Sequence, residues 1–140
     1  MSEKWIKNEY GFIELLDKPT QKELDLYYSN KYYQEGLSST YGLKYDNQES
    51  QYIFNKIHQK NLLIEEISLI KQGNFLDVGA GEGFALKYFF DLGWKVTGLD
   101  YSSFGVKLHN PKLEQFLIKG DIFNNLSKII KNKEKFQLIW

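Results

Sequence analysis

The sequence contains no cysteine and no arginine, and only two prolines in 140 residues. Lack of cysteine excludes disulfide frameworks, thiolate zinc sites and cysteine nucleophiles together, and leaves the redox compartment open. Every basic residue is a lysine and the formal charge at pH 7 is zero, so there is no arginine-rich stripe of the kind a dedicated nucleic-acid binder carries. A small-molecule or lipid-linked substrate is expected rather than DNA. Long apolar runs are missing as well. No window approaches the roughly 20 apolar residues of a membrane span, and the opening segment MSEKWIKNEY has no apolar signal core. The expectation is a cytoplasmic protein with neither a membrane nor a nucleic-acid partner. The sequon Asn125-Leu126-Ser127 is accordingly read as chance.

What is present suffices for one core of modest size: 42% of the residues are apolar, and no Gly/Ser or charge block argues for disorder. Composition shifts near Gln72, from polar, tyrosine-rich segments to short β-like runs alternating with helix-like ones. In the first region, Trp5 to Leu16 mixes β-formers around Gly11. Thr20 and Glu23 then have the spacing of a capping box, which predicts a helix from Gln21 to about Ser29. Asn30 to Asn47, with Tyr32, Tyr33, Tyr41 and Tyr45, reads as an irregular aromatic loop; Tyr32, Tyr33 and Tyr41 are placed to close over a ligand, with plain packing as the competing role. A helix is expected from about Glu49 to Lys71, with Ile53, Ile57, Ile64 and Ile67 on one side and Gly73 as its stop.

Beyond Gly73 the pattern predicts strand Asn74 to Val78, helix Gly83 to Leu92, strand Lys95 to Leu99 and a short helix Ser103 to His109. Strand Gln115 to Lys119, helix Phe123 to Lys131 and a β-forming run Phe136 to Trp140 follow. Such alternation means parallel strands joined by right-handed crossovers. His58 and His109 fall on helices, where structural roles are expected for both.

The chemistry concentrates after the first of these parallel strands, in Asp77-Val78-Gly79-Ala80-Gly81-Glu82-Gly83. Glycines where a strand turns into a helix let a ligand approach bare backbone. The dinucleotide pattern G-x-G-x-x-G would need glycine at position 84, which is Phe84, and no Lys-Ser or Lys-Thr pair follows to hold phosphates. Asp77 places a carboxylate where a pyrophosphate would be repelled and an ammonium group attracted. The second strand ends at Asp100-Tyr101, with Asp100 at the spacing from Gly79 that suits ribose hydroxyls. Tyr101 is positioned to cover an adenine face. The third strand ends at Gly120-Asp121-Ile122, where the carboxylate can accept from an exocyclic amine and Ile122 can pack on a ring. Capping of a helix competes for Asp121.

D-x-G-x-G-x-G followed by LD and then GD, over Gly73 to Trp140, resembles the class I S-adenosylmethionine (SAM)-dependent methyltransferase family. The resemblance implies a Rossmann-like α/β fold, a parallel sheet with helices on both faces. It implies SAM as cofactor and S-adenosylhomocysteine (SAH) as product. By position, Asp77 and the backbone of Gly79, Ala80 and Gly81 would lie near the methionine part, Asp100 on the ribose, Asp121 and Ile122 on the adenine, and Gly83 would serve helix packing. The stretch YGFIELLDKPTQKELDLYYSNKYY is similar to the segment preceding the cofactor domain in small-molecule methyltransferases, including some of bacterial surface-polysaccharide pathways, although it lacks the cysteine those often carry. The expected organisation is a helical or irregular extension over 1–47, a possible lid, and a SAM-binding domain over 48–140.

Family members have seven strands, so the sheet is expected to be truncated after its fourth strand, and its apolar edge to pair with a second copy. The function implied is methyl transfer to a small-molecule acceptor, a sugar or polysaccharide precursor among the possibilities, with no catalytic base and no metal ligand assigned. Two rival readings stand beside it. One is a non-catalytic SAM-binding fragment that self-associates, and the other an NAD-binding fragment of an oxidoreductase, disfavoured by Asp77 and Phe84.

Overall fold

The computed structural model describes residues 4–30 and 44–140. Trp5–Lys7 (β1) and Ile13–Leu15 (β2) form an antiparallel hairpin with Trp5 opposite Leu15 and Lys7 opposite Ile13. Its turn is built by Asn8, whose Oδ1 accepts from the backbone N–H groups of Tyr10 and Phe12, and by Gly11 at φ 85°. This part of the extension is therefore a hairpin rather than helical or irregular. The helix Gln21–Asn30 (α1) begins at the expected capping box: Thr20 N–H donates to Glu23 Oε2 at 2.8 Å and Glu23 N–H to Thr20 Oγ1 at 3.3 Å.

Asn47–Ser68 (α2) starts at a second capping box, formed by Asp46 and Glu49. It stops three residues short of the expected Lys71. Ser68 Oγ donates back to the carbonyl of Ile64, and Leu69 turns left-handed at φ 59° while its N–H closes on Glu65. The left-handed cap thus falls on leucine, and Gly73 takes no part in it.

The rest is a Rossmann-like α/β unit. Strands Asn74–Val78 (β3), Lys95–Asp100 (β4), Leu117–Lys119 (β5) and Leu138–Ile139 (β6) form one parallel sheet in the order β5-β4-β3-β6. Helices Phe84–Asp91 (α3), Phe104–His109 (α4) and Ile122–Lys131 (α5) connect them. The expected strand from Gln115 begins two residues later. Pro111, with its fixed φ and no donor to give, opens a 3-10 turn over Pro111–Phe116 that takes up those positions.

Alternation along each strand distributes side chains to two cores. Phe75 and Val96 join Ile57 of α2, Ala85, Leu86 and Phe89 of α3 and Val106 of α4 on one face. Leu76 and Leu99 meet Ile129 of α5 on the other. Both faces of β3 are covered, which is why, after Asn74 at its start, it is apolar except for Asp77. Because the chain steps outward from β3 to β5 and then crosses back to β6, the order of strands reverses beside β3. The loop after β3 sits at that switch point, beyond the carboxyl ends of the strands. No helix among the described residues is long and apolar enough to cross a membrane.

The first core is organised around Phe89, fully buried, stacked on Phe75 with centroids 4.2 Å apart and edge-on to Trp94 and Trp140. Phe89→Ala is expected to lower unfolding free energy by about 3–5 kcal/mol, read from urea midpoints at unchanged slope.

Candidate functional site at the carboxyl ends of the parallel strands

The loop from Val78 to Gly83 leaves β3 and folds against the end of β4. The N–H groups of Gly79 and Ala80 both donate to the carbonyl of Leu99, at 2.8 and 3.0 Å, and Gly81 N–H donates to Asp100 Oδ2 at 2.8 Å. Gly83 N–H closes on Ala80, and Gly83 is the N-cap of α3 at φ 77° with no capping side chain. Four loop amides are thus consumed internally, so the loop does not offer the row of free donors that cradles a phosphate.

Gly79, at φ 85°, is exposed, and a Cβ built on it would meet nothing within 4 Å. Among the described residues, nothing covers the mouth above it. On the opposite side the loop is pressed hard against α4, where a Cβ at Gly105 would stand 2.5 Å from the Gly81 carbonyl oxygen. Gly83 meets the same helix, with Val106 Cγ2 3.1 Å from its would-be Cβ. Ala80 is buried in the first core.

Two carboxylates lie at this mouth. Asp100, buried at the end of β4, accepts Gly81 N–H on Oδ2 and Ser102 N–H on Oδ1, the latter at 2.9 Å. Burial raises its pKa and those backbone donors pull it back. Each oxygen keeps a lone pair for a further donor such as a hydroxyl. Asp77, on β3, is only 4% exposed, and its carboxylate has no hydrogen-bond or ion-pair partner among the described residues. Burial first, and the charge of Asp100 second, push it up to about 7.

The third strand end contributes differently. Asp121 caps α5, with Oδ1 accepting from Asn124 N–H at 2.6 Å, and Oδ2 accepts the hydroxyl of Tyr101 at 2.7 Å. That bond ties the ends of β4 and β5 together and holds the Tyr101 ring between them. Ile122, half-buried, packs on the second core. The residues named from sequence thus lie at the carboxyl ends of three adjacent strands, but Ala80, Gly83 and Ile122 are turned into packing, Ala80 and Ile122 in different cores.

A neighbouring cluster carries no signal in the sequence. Glu82, buried, accepts the Tyr45 hydroxyl on both carboxylate oxygens at 2.7 and 2.9 Å, and His109 Nε2 lies 3.4 Å from its Oε1. Tyr45 packs edge-on to Phe84 at 5.3 Å, and Asn110 Nδ2 donates to the Glu82 carbonyl at 2.7 Å. Burial raises the Glu82 pKa, while the Tyr45 hydroxyl and the His109 charge oppose it. The cluster clamps Tyr45, the residue before the Asp46 cap of α2, and the end of α4 onto the glycine loop. Tyr32, Tyr33 and Tyr41, expected to form a lid, lie outside the described residues.

Among known proteins, no family model, curated protein or solved structure matches this chain.

Because the folded-state pKa of Asp77 lies above its unfolded value near 4, ionising it in the folded protein is unfavourable. Stability therefore falls as pH rises from about 4 to about 7, by ~4 kcal/mol in all, and is flat above. Asp77→Asn should raise the melting temperature at pH 8, with the gain closing as pH is lowered towards 4. A variant less stable than wild type at pH 8 would show that Asp77 is a structural carboxylate.

Proposed function

We propose that this chain binds S-adenosylmethionine and serves methyl transfer to a small-molecule acceptor. The observation that carries the reading is Asp77: a buried carboxylate without a partner, beneath an open glycine loop and beside a second carboxylate. A protein keeps such a group at a loss of stability when a ligand supplies the missing charge. The ligand must then bring a cation. The α-ammonium group of the methionine part, together with the sulfonium, meets that demand, whereas the pyrophosphate of a dinucleotide would face Asp77 and a loop whose amides are taken.

The remaining strand ends support an adenosyl group. Asp100 has lone pairs to accept ribose hydroxyls, and Tyr101, hydrogen-bonded to Asp121, stands at the neighbouring strand end with a ring on which a base could stack. In methyl transfer the acceptor attacks the methyl carbon in line as the carbon–sulfur bond breaks, leaving SAH, so catalysis rests largely on holding two molecules in register. The residues described here serve the donor side of that arrangement.

A second reading, a non-catalytic SAM-binding unit that pairs through its sheet edge, draws support from β6, a two-residue edge strand with Ile139 exposed. Native mass measurement reads that association directly.

Titration calorimetry with SAM, SAH and NAD tests the main reading, and binding of SAM and SAH but not NAD is expected. Affinity should weaken by about tenfold per pH unit below about 7, because the ligand's cation selects ionised Asp77. Tight NAD binding with no response to SAM or SAH would overturn it.

A further inference from the structure

Away from the glycine loop, α3 and the 3-10 turn after α4 enclose a cleft of about 430 Å³. Lys87, Phe90 and Asp91 line it from α3, where their spacing of i, i+3 and i+4 puts them on one face. The other wall is the run from His109 to Leu113, in which Pro111 ends α4 and opens the 3-10 turn.

This cleft is built before any ligand arrives. Leu113 is buried and belongs to the first core. Asn110 donates from Nδ2 to the Glu82 carbonyl, and its own carbonyl takes the N–H of Leu113 at 2.8 Å. Phe90 is 44% exposed, yet its ring rests on Phe116 with centroids 5.3 Å apart. An exposed ring held in a concave wall offers a face to a second ring at little further cost in ordering.

The charges around the cleft do not balance. Lys87 Nζ lies 2.6 Å from Asp91 Oδ2, so those two cancel. His109 turns Nε2 towards the Glu82 carboxylate, 3.4 Å away, which answers any charge on the ring. Lys112 is exposed, and its Nζ has no hydrogen-bond or ion-pair partner among the described residues. One positive charge is therefore uncompensated, and Asp91 on the rim opposes a second negative charge on any occupant. As to size, an apolar cavity of about 150 Å³ holds a benzene ring, so this cleft admits two fused rings with a charged substituent.

We infer that the cleft is a second binding site, for a small aromatic monoanion: a carboxylate carried on one or two fused rings, with Phe90 facing the ring and Lys112 pairing with the carboxylate. The inference does not rest on the adenosyl site, since neither the cofactor nor the glycine loop takes part in it.

Titration of the full chain with 2-naphthoate, followed by amide proton–nitrogen NMR, tests it without any cofactor. Shifts are expected to centre on the amides of Phe90, Asp91, Lys112 and Leu113. The neutral 2-naphthamide should bind about tenfold more weakly, and in Lys112→Gln the acid should fall to the level of the amide. The dianion 2-naphthyl phosphate should bind no more tightly than 2-naphthoate. Shifts spread over the whole chain, equal affinity for acid and amide, or an unchanged affinity in Lys112→Gln would overturn the inference. Tighter binding of the phosphate would overturn the monoanion assignment, and displacement of 2-naphthoate by SAH would show that the probe had entered the cofactor site instead.

Discussion

Two carboxylates at the ends of adjacent parallel strands, Asp77 and Asp100, set the terms for everything around them. A parallel sheet covered on both faces has no room for charge along its strands, so polar groups collect where the strands end. Asp100 is reconciled with burial by the loop it helps to fold, since it takes the amides of Gly81 and Ser102. Asp77 receives no such help, and like charge from Asp100 raises its pKa further. The same loop that satisfies one carboxylate leaves the other without a hydrogen-bond donor among the described residues.

The loop can do this only because it is pinned from three sides. The carbonyl of Leu99 holds Gly79 and Ala80. Gly105 lets α4 come within contact of the Gly81 backbone, where any side chain would collide. Glu82 ties Tyr45, and through it the start of α2, to the first turn of α3. A ligand entering over Gly79, as proposed, would meet a preorganised wall, which limits the entropy lost on binding. The cluster of Glu82, Tyr45 and His109 also explains why the segment before α2 belongs to the site and not merely to the chain leading up to it.

Local pattern made much of this legible. The strand positions, the glycine loop and the carboxylates at three strand ends follow from period, turn chemistry and spacing, because each is decided within a few residues. The departures arise where a contact distant in sequence, or a competing local bond, decides. Gln115 and Phe116 look β-forming, but Pro111 winds them into a 3-10 turn. Lys71 fits the helical period, yet the Ser68 hydroxyl and a left-handed Leu69 end α2 before it. Glu82 passes for a filler between two glycines, since its partners stand 37 residues before it and 27 after. The Nδ2 of Asn125 is hidden for the same reason: only the packing of α5 against the sheet leaves it buried without a partner among the described residues.

The central claim is that Asp77 is held near neutrality for a cationic ligand to ionise. Carbon-13 NMR of the aspartate carboxyl carbons, followed through a pH titration with and without SAH, observes this group itself. The account predicts that Asp77 titrates at about 7 in the free protein and shifts well down when the ligand is bound. An Asp77 carboxyl that titrates near 4 in the free protein, or that does not respond to SAH, would contradict it.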